Sequence, residues 1–262
     1  MRAWVEEVPN KPEVFLNLVQ SAHWFGLRGY EVVRFKHAEI NEGRLDDDLL
    51  NRPNESVVRG VVGTVRAALV RAGRPAAPNI DLPSELSPWF GRKVGVSTLG
   101  AIRAAVEMPI FKPCHIKPLE HHKLFTGRVV SAFRDLISTA SLSDEIPVLV
   151  QGCVSFRSEW RVCVLRDQIL HAGFYRGDPL GFPDPDVIRS ALSAFKDRPI
   201  AFAMDWGLTD SGETILVEVN DGYSLGNYGL GGAGYTAMIE ARWRELMGLE
   251  DNGVGKNLHE NL

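Results

Sequence analysis

Apolar positions over residues 12–27 recur at Val14, Leu18, Ala22 and Phe25, a spacing that predicts one helix. Short β-rich runs at residues 2–5 and 31–35 flank it, so the chain opens strand, helix, strand. Val57-Val58-Arg59-Gly60 reads as a further short strand, and residues 63–72 as a helix stopped by Gly73. Alternation of this kind predicts a parallel sheet flanked by helices over about the first ninety residues. Residues 75–88 hold Pro75, Pro78, Pro83 and Pro88 and read as a connector. A helix is expected around 99–106, with strand pieces at 110–111 and 114–117. The pattern then turns to β: residues 147–151, 159–165 and 168–175 are strand-like, with Arg166-Asp167 as the turn between the last two. Residues 184–195 fit a helix with an acidic start, and residues 236–247 a final amphipathic helix before a polar tail.

The runs at 200–204 and 215–219 are strand-like, and Asp210-Ser211-Gly212 between them is a turn signal, which predicts a hairpin. Side chains alternate along a strand, so Glu218 and Asn220 share a face, and the hairpin brings Asp205 to the same locality. Three hard oxygen donors suit Mg2+ carried by a nucleoside triphosphate. Taken alone, Asp205 and Glu218 fit equally well as solvent-facing acids at a sheet end. Asp221 falls on the opposite face and is expected to serve the turn.

Composition narrows the class. With 262 residues and 45% hydrophobic content the chain can bury a substantial core as one large domain or two smaller ones. Lysine and arginine number 29 against 33 acids, a formal charge of −4, so no whole-molecule field favours nucleic acid or an anionic membrane. Cys114, Cys153 and Cys163 are an odd set without a leader-like start, which argues for a reducing cytoplasm. No apolar run approaches the roughly 20 residues that span a bilayer.

Other residues could carry chemistry. Lys117 and Lys123 lie six apart around Pro118, and ammonium groups near a strand end can share a polyphosphate; they can equally be solvated surface lysines. His115, His121 and His122 raise a soft-metal site, but no second His or Cys cluster accompanies them. Glu159, Arg161 and Cys163 share one face of a strand, where a guanidinium needs an acid or an anionic ligand. Arg176, on the paired strand, could join that site. Residues 229–234 fit Gly-x-Gly-x-x-Gly but lack the preceding strand of a dinucleotide fold, so a loop approaching a ligand is the better reading.

In chain order, Lys117 and Lys123, Val148-Leu149-Val150-Gln151, Glu159-Trp160-Arg161, Asp205, and Glu218-Val219-Asn220-Asp221 with Ser224-Leu225-Gly226 resemble the ATP-grasp superfamily. The likeness is to its branch related to ribosomal-protein S6 glutamate ligase and covers residues 95–235. It implies an α+β fold, two subdomains clasping ATP, preceded by a small α/β parallel-sheet domain. The expected division is 1–94, then a module over 95–250 made of 95–153 and 154–250, then a tail over 251–262.

The resemblance also implies roles. Lys117 and Lys123 would hold phosphates, and Leu149, Val150 and Gln151 would be the hinge at the adenine edge, with Glu159 beside the nucleotide. Arg161 would meet the γ-phosphate or an acyl phosphate, with Arg176 as a second catalytic arginine. Asp205, Glu218 and Asn220 would bind Mg2+, while Ser224, Gly226 and Tyr228 would meet substrate. The implied activity is an ATP-dependent carboxylate–amine ligase that forms an amide through an acyl phosphate and releases ADP and phosphate. Its partners would be small-molecule or peptide carboxylates and amines; neither membrane nor nucleic acid is expected, and a homodimer stays open. The stretch from Lys123 to Pro147 is short and poor in glycine for a phosphate-covering lid, leaving Gly127 to serve there. Two alternatives follow: an ATP-binding regulatory module with reduced catalysis, and a nucleic-acid-associated protein using Trp4, Trp24 and Trp89 as stacking groups.

Overall fold

The computed structural model describes residues 1–8, 12–119 and 124–256, with side chains of residues 12–15 excepted. Three parallel strands, β1 (Arg2–Glu6), β2 (Glu31–Phe35) and β3 (Ser56–Arg59), form a sheet of order β2-β1-β3. Helices α1 (Pro12–Leu27) and α2 (Ala38–Asn41) lie in the two crossovers, and α3 (Val62–Arg71) follows β3. The expected parallel sheet is present.

A second sheet, of order β4-β7-β5-β6, contains β4 (Val94–Thr98), β5 (Cys114–Pro118), β6 (Arg128–Val130) and β7 (Pro147–Gly152), all antiparallel. α4 (Leu99–Ala105) covers it, its first turn capped by the Thr98 hydroxyl, which accepts from the Ala101 N–H at 3.2 Å. The strand expected at 110–111 is a turn instead, with Ile110 84% exposed. Pro109 and Pro113 flank that segment, and two missing N–H donors leave little for a ladder.

The third sheet, of order β11-β10-β8-β9, carries Arg161, Asp205, Glu218 and Asn220. Its strands are β8 (Phe156–Leu165), β9 (Gln168–Gly177), β10 (Ala201–Thr209) and β11 (Thr214–Asp221), again antiparallel. α5 (Pro185–Ala194) starts at Asp184, whose carboxylate accepts from the Asp186 N–H at 2.8 Å. One face of the sheet buries Phe202, Met204, Trp206 and Leu216 against α5 and residues 86–90. The other buries Cys163, Leu165, Ala201 and Ala203 against α6 (Gly232–Leu246).

Helix α6 joins the two ends of the chain. Its Tyr235, Met238, Ile239 and Trp243 share one core with Val5, Phe25, Val57 and Leu69. The approach to α1 is close enough that a Cβ on Gly232 would overlap the Trp24 indole. The parallel sheet is thereby clamped against the third sheet, and the cleft between the second and third sheets opens toward it.

Candidate functional site

The hairpin of β10 and β11 turns at Gly212, φ 86°, and sets Asp205 directly opposite Glu218. On its other side Asp205 faces Arg161 of β8, and Arg161 faces Gly173 of β9. Four adjacent strands thus contribute one transverse row, Gly173–Arg161–Asp205–Glu218. Arg161 donates through Nε to Asp205 Oδ1 at 2.8 Å and through Nη2 to Oδ2 at 2.7 Å. Both side chains are almost fully buried. Burial alone would lower the guanidinium, but the paired carboxylate outweighs it and keeps Arg161 firmly cationic.

Lys117, on β5 of the facing sheet, reaches across the cleft. Its Nζ lies 3.0 Å from Glu218 Oε2 and 3.1 Å from Asp81 Oδ2. Burial would raise the Glu218 carboxyl, yet the Lys117 charge and hydrogen bond hold it below its ordinary value. Burial would lower Lys117, and Glu218 and Asp81 together raise it. Asn220 Nδ2 donates to Asp205 Oδ2 at 3.1 Å and to Glu218 Oε1 at 3.2 Å. Its side-chain amide therefore bridges both carboxylates.

The cleft holds about 570 Å3 and is lined by Lys117, Arg161, Glu218, Asn220, Ser224, Gly226 and Tyr228 among others. Tyr228 stands over Arg161, ring centre 4.4 Å from Cζ, with its own backbone in the left-handed region at φ 43°. That approach needs Gly173: a Cβ there would overlap the Tyr228 carbonyl oxygen. Leu149 lines an adjoining cavity of about 620 Å3, which meets the cleft at Asn79, Ile80 and Asp81 and has Leu82, Leu119 and Phe195 in its walls. Val150 is half-buried, and Gln151 is buried and accepts from Arg92 Nε at 2.9 Å and Nη2 at 2.6 Å.

Other expected residues stand apart. Glu159 is buried beneath Tyr175, whose hydroxyl donates to it at 3.0 Å. Arg176 pairs with Glu159 at 3.1 Å, is 76% exposed and does not line the cleft. Lys123 and the histidines at 121 and 122 lie outside the described residues. Asp221 borders the cleft, but its carboxylate is paired with Arg242, at 2.7 Å through Nε and 2.7 Å through Nη2. The glycines at 229–234 have no strand immediately before them; they open α6.

Sequence reasoning missed three members of this neighbourhood. Asp81 sits in the proline-rich connector, and its carbonyl accepts from the Val219 N–H at 2.7 Å, which lays the connector beside β11. Arg92 joins the two sheets, donating to the Leu216 carbonyl at 2.6 Å and the Val217 carbonyl at 2.7 Å while holding Gln151. Gly173 carried no signal within an otherwise regular strand. Each acts on residues more than thirty positions away, which local pattern does not reveal.

Among the described residues no group of three or more His, Cys, Asp and Glu side chains is placed to hold a metal. The Asp205 and Glu218 carboxylates do meet at the Asn220 amide nitrogen, and two carboxylates with a neighbouring amide are a donor set that fits Mg2+ by its chemistry. Also among them, no helix is long and apolar enough to cross a membrane.

Comparison with known proteins places these features. The profile of the ATP-grasp domain, R2K clade family 2, matches residues 89–238. The D-cycloserine synthetase DcsG is similar in structure, with a TM-score of 0.60 at 14% identity over 93% of this chain and 99% of that one. The D-alanine–D-alanine ligase of Bacillus anthracis, solved with ATP, gives 0.56 at 14% over 94% and 95%. A RimK-domain ATP-grasp protein of Sphaerobacter thermophilus gives 0.55 at 18% over 91% and 98%. Comparison with curated protein sequences yields no match.

Proposed function

Because this chain belongs to the ATP-grasp superfamily, in family 2 of its R2K clade, we propose that it is an ATP-dependent carboxylate–amine ligase. The observation that carries this reading is the row Arg161–Asp205–Glu218 facing Lys117 across one cleft. Phosphoryl transfer requires positioning and charge neutralisation more than a covalent nucleophile. Lys117 supplies a point charge for phosphate, and Arg161, held rigid by Asp205, supplies a guanidinium for the γ-phosphate or the acyl phosphate derived from it. The cavity at Leu149, Leu119 and Ile80 offers apolar walls for the adenine.

Asp205, Glu218 and Asn220 would hold Mg2+, which neutralises phosphate charge when bound. Lys117 shares Glu218 with that role, so nucleotide phosphates exchange an internal ion pair for one with the ligand. Tyr228, Ser224 and Gly226 border the cleft on the side where carboxylate and amine would meet. The expected sequence is attack of the substrate carboxylate on the γ-phosphorus, release of ADP, then attack of an amine on the acyl carbon with loss of phosphate. The protein is taken to act in the cytoplasm, with 1–94 as a substrate-side domain and 95–250 as the nucleotide clasp.

The test is incubation with Mg-ATP and pools of amino acids, peptides and small carboxylates. ADP and phosphate should appear only when both a carboxylate and an amine are present. Release of AMP and pyrophosphate would overturn the acyl-phosphate route. Nucleotide binding without turnover across all pools would favour the regulatory alternative, which the double pairing of Lys117 with Asp81 and Glu218 also favours.

A further inference from the structure

Arg59 ends β3 and is only 3% exposed, yet it makes no ion pair with an acid among the described residues. Its donors go to neutral oxygens: the Gly60 carbonyl at 2.6 Å, the Tyr235 hydroxyl at 2.8 Å, Ser21 Oγ at 3.3 Å, Ser224 Oγ at 3.4 Å and the Leu225 carbonyl at 3.5 Å. The neighbouring carboxylate, Glu6, is committed to the start of α3, accepting from the Val61 N–H at 2.8 Å and the Thr64 hydroxyl at 2.7 Å. A buried guanidinium without a counter-charge is costly, and the cost falls when an anion arrives.

The place for that anion is open. Arg59 lines a cavity of about 480 Å3 whose described lining contains no acid. The nucleotide cleft next to it, by contrast, is lined by Asp81, Glu218 and Asp221. The two spaces share Val62, Ser224, Leu225, Gly226 and Tyr228, so a molecule can extend from one into the other. The Ser224 and Leu225 bonds are the two longest that Arg59 makes, and both partners line this cavity. An oxyanion entering from the cavity can take over those donors, since charge-assisted bonds are shorter and about twice as strong as neutral ones.

We propose that Arg59 and this side cavity bind a carboxylate of the substrate other than the one that reacts, so that the ligase uses an amino acid rather than a simple amine or monoacid. The inference rests on the ligase reading for its reaction, but its binding site stands on geometry alone. A single cation among the described lining residues matches a monoanion better than a phosphate dianion, for which further cations are the rule.

The test titrates the full chain, with and without Mg-ADP, against the twenty amino acids, their matched carboxamides and orthophosphate, by ligand-observed NMR followed by calorimetry on the binders. At least one amino acid should bind about tenfold or more tightly than its carboxamide, the worth of a charged hydrogen bond. Arg59→Gln should abolish that preference, and Arg59→Lys should keep part of it. Val62→Glu, which places a charge on the half-exposed rim, should also abolish it and serves if the Arg59 variants fail to fold. Equal binding of acid and amide, orthophosphate outcompeting every carboxylate, no binder in the pool, or an unchanged preference in the variants would each overturn the proposal. Failure to bind ADP with the preference intact would sink the ligase reading and leave the subsite standing.

Discussion

Arg161 grips Asp205 through two parallel hydrogen bonds from directly opposed positions on neighbouring strands. Because both side chains are buried, removing one partner strands the charge of the other. Arg161→Met should therefore destabilise by about 3–5 kcal/mol in denaturant unfolding, and Arg161→Met with Asp205→Leu should recover much of that loss. A double variant no more stable than the single one would show the pair is not energetically coupled.

Gly173 is the gap through which Tyr228 reaches Arg161. Gly173→Ala should displace the loop at a cost of about 1–3 kcal/mol. Mg-ATP should still stabilise this variant in a melting assay, while acceptor-dependent ADP release should fall. Parent-like turnover would mean that Tyr228 does not order the substrate side.

Lys117→Ala should lose most of the melting shift that Mg-ATP gives the parent, whereas Glu218→Gln should keep part of the shift and lose turnover. If both variants melted as the parent does with nucleotide, the cleft between β5 and β11 would not be the nucleotide site.

The Glu218–Lys117 pair sets opposite pH limits. Glu218 is depressed from an ordinary value of 4.5, so its contribution is present above that pH and lost as pH falls through the lower folded value. Lys117 is raised from 10.5, so its contribution is present below that pH and lost as pH rises through the higher folded value. In Glu218→Gln the acid limb of the stability profile should flatten, which unfolding free energies measured from pH 2 to pH 6 would reveal.

Two helical glycines should respond in opposite directions. Gly232→Ala meets Trp24 and should destabilise by about 1–3 kcal/mol. Gly63→Ala, early in α3 with no atom within 4 Å of the new methyl, should stabilise by about 0.4–1 kcal/mol. Equal effects would mean that α1 and α6 do not approach as closely as described.

Local pattern was a good guide wherever one strand or helix sufficed. The hairpin over residues 200–219, the helix that Asp184 caps and the β8–β9 pair with its turn at Arg166 lie where alternation and turn chemistry put them. Strand β4 went unread because Val94-Gly95-Val96-Ser97-Thr98 alternates only over Val94 and Val96, too short a run beside a glycine to stand out, and its middle is exposed. The three residues of β6 are too short to show a period. Arg161 shows the limit for a site residue: its strand and face were legible, but whether it met Glu159 or another acid was not. Cross-strand register settles that, giving Arg161 to Asp205 and leaving Glu159 to Tyr175 and Arg176.

By itself the sequence determined most of the elements and their order, β4 and β6 excepted, the polar side chains at Asp205, Glu218 and Asn220, the basic groups that go with them, and hence a resemblance to a nucleotide-binding superfamily. These follow from side-chain alternation and chemistry over a few neighbouring positions. Tertiary structure alone decided that Lys117 is shared between Glu218 and Asp81, that Gly173 admits Tyr228, and that Arg59 is buried beside a cavity whose described lining holds no acid. Each joins segments 36 to 165 residues apart, as in Asp81 with Lys117 and Arg59 with Ser224. Such pairings are set by how three sheets and one C-terminal helix pack, and packing is a property of the whole chain.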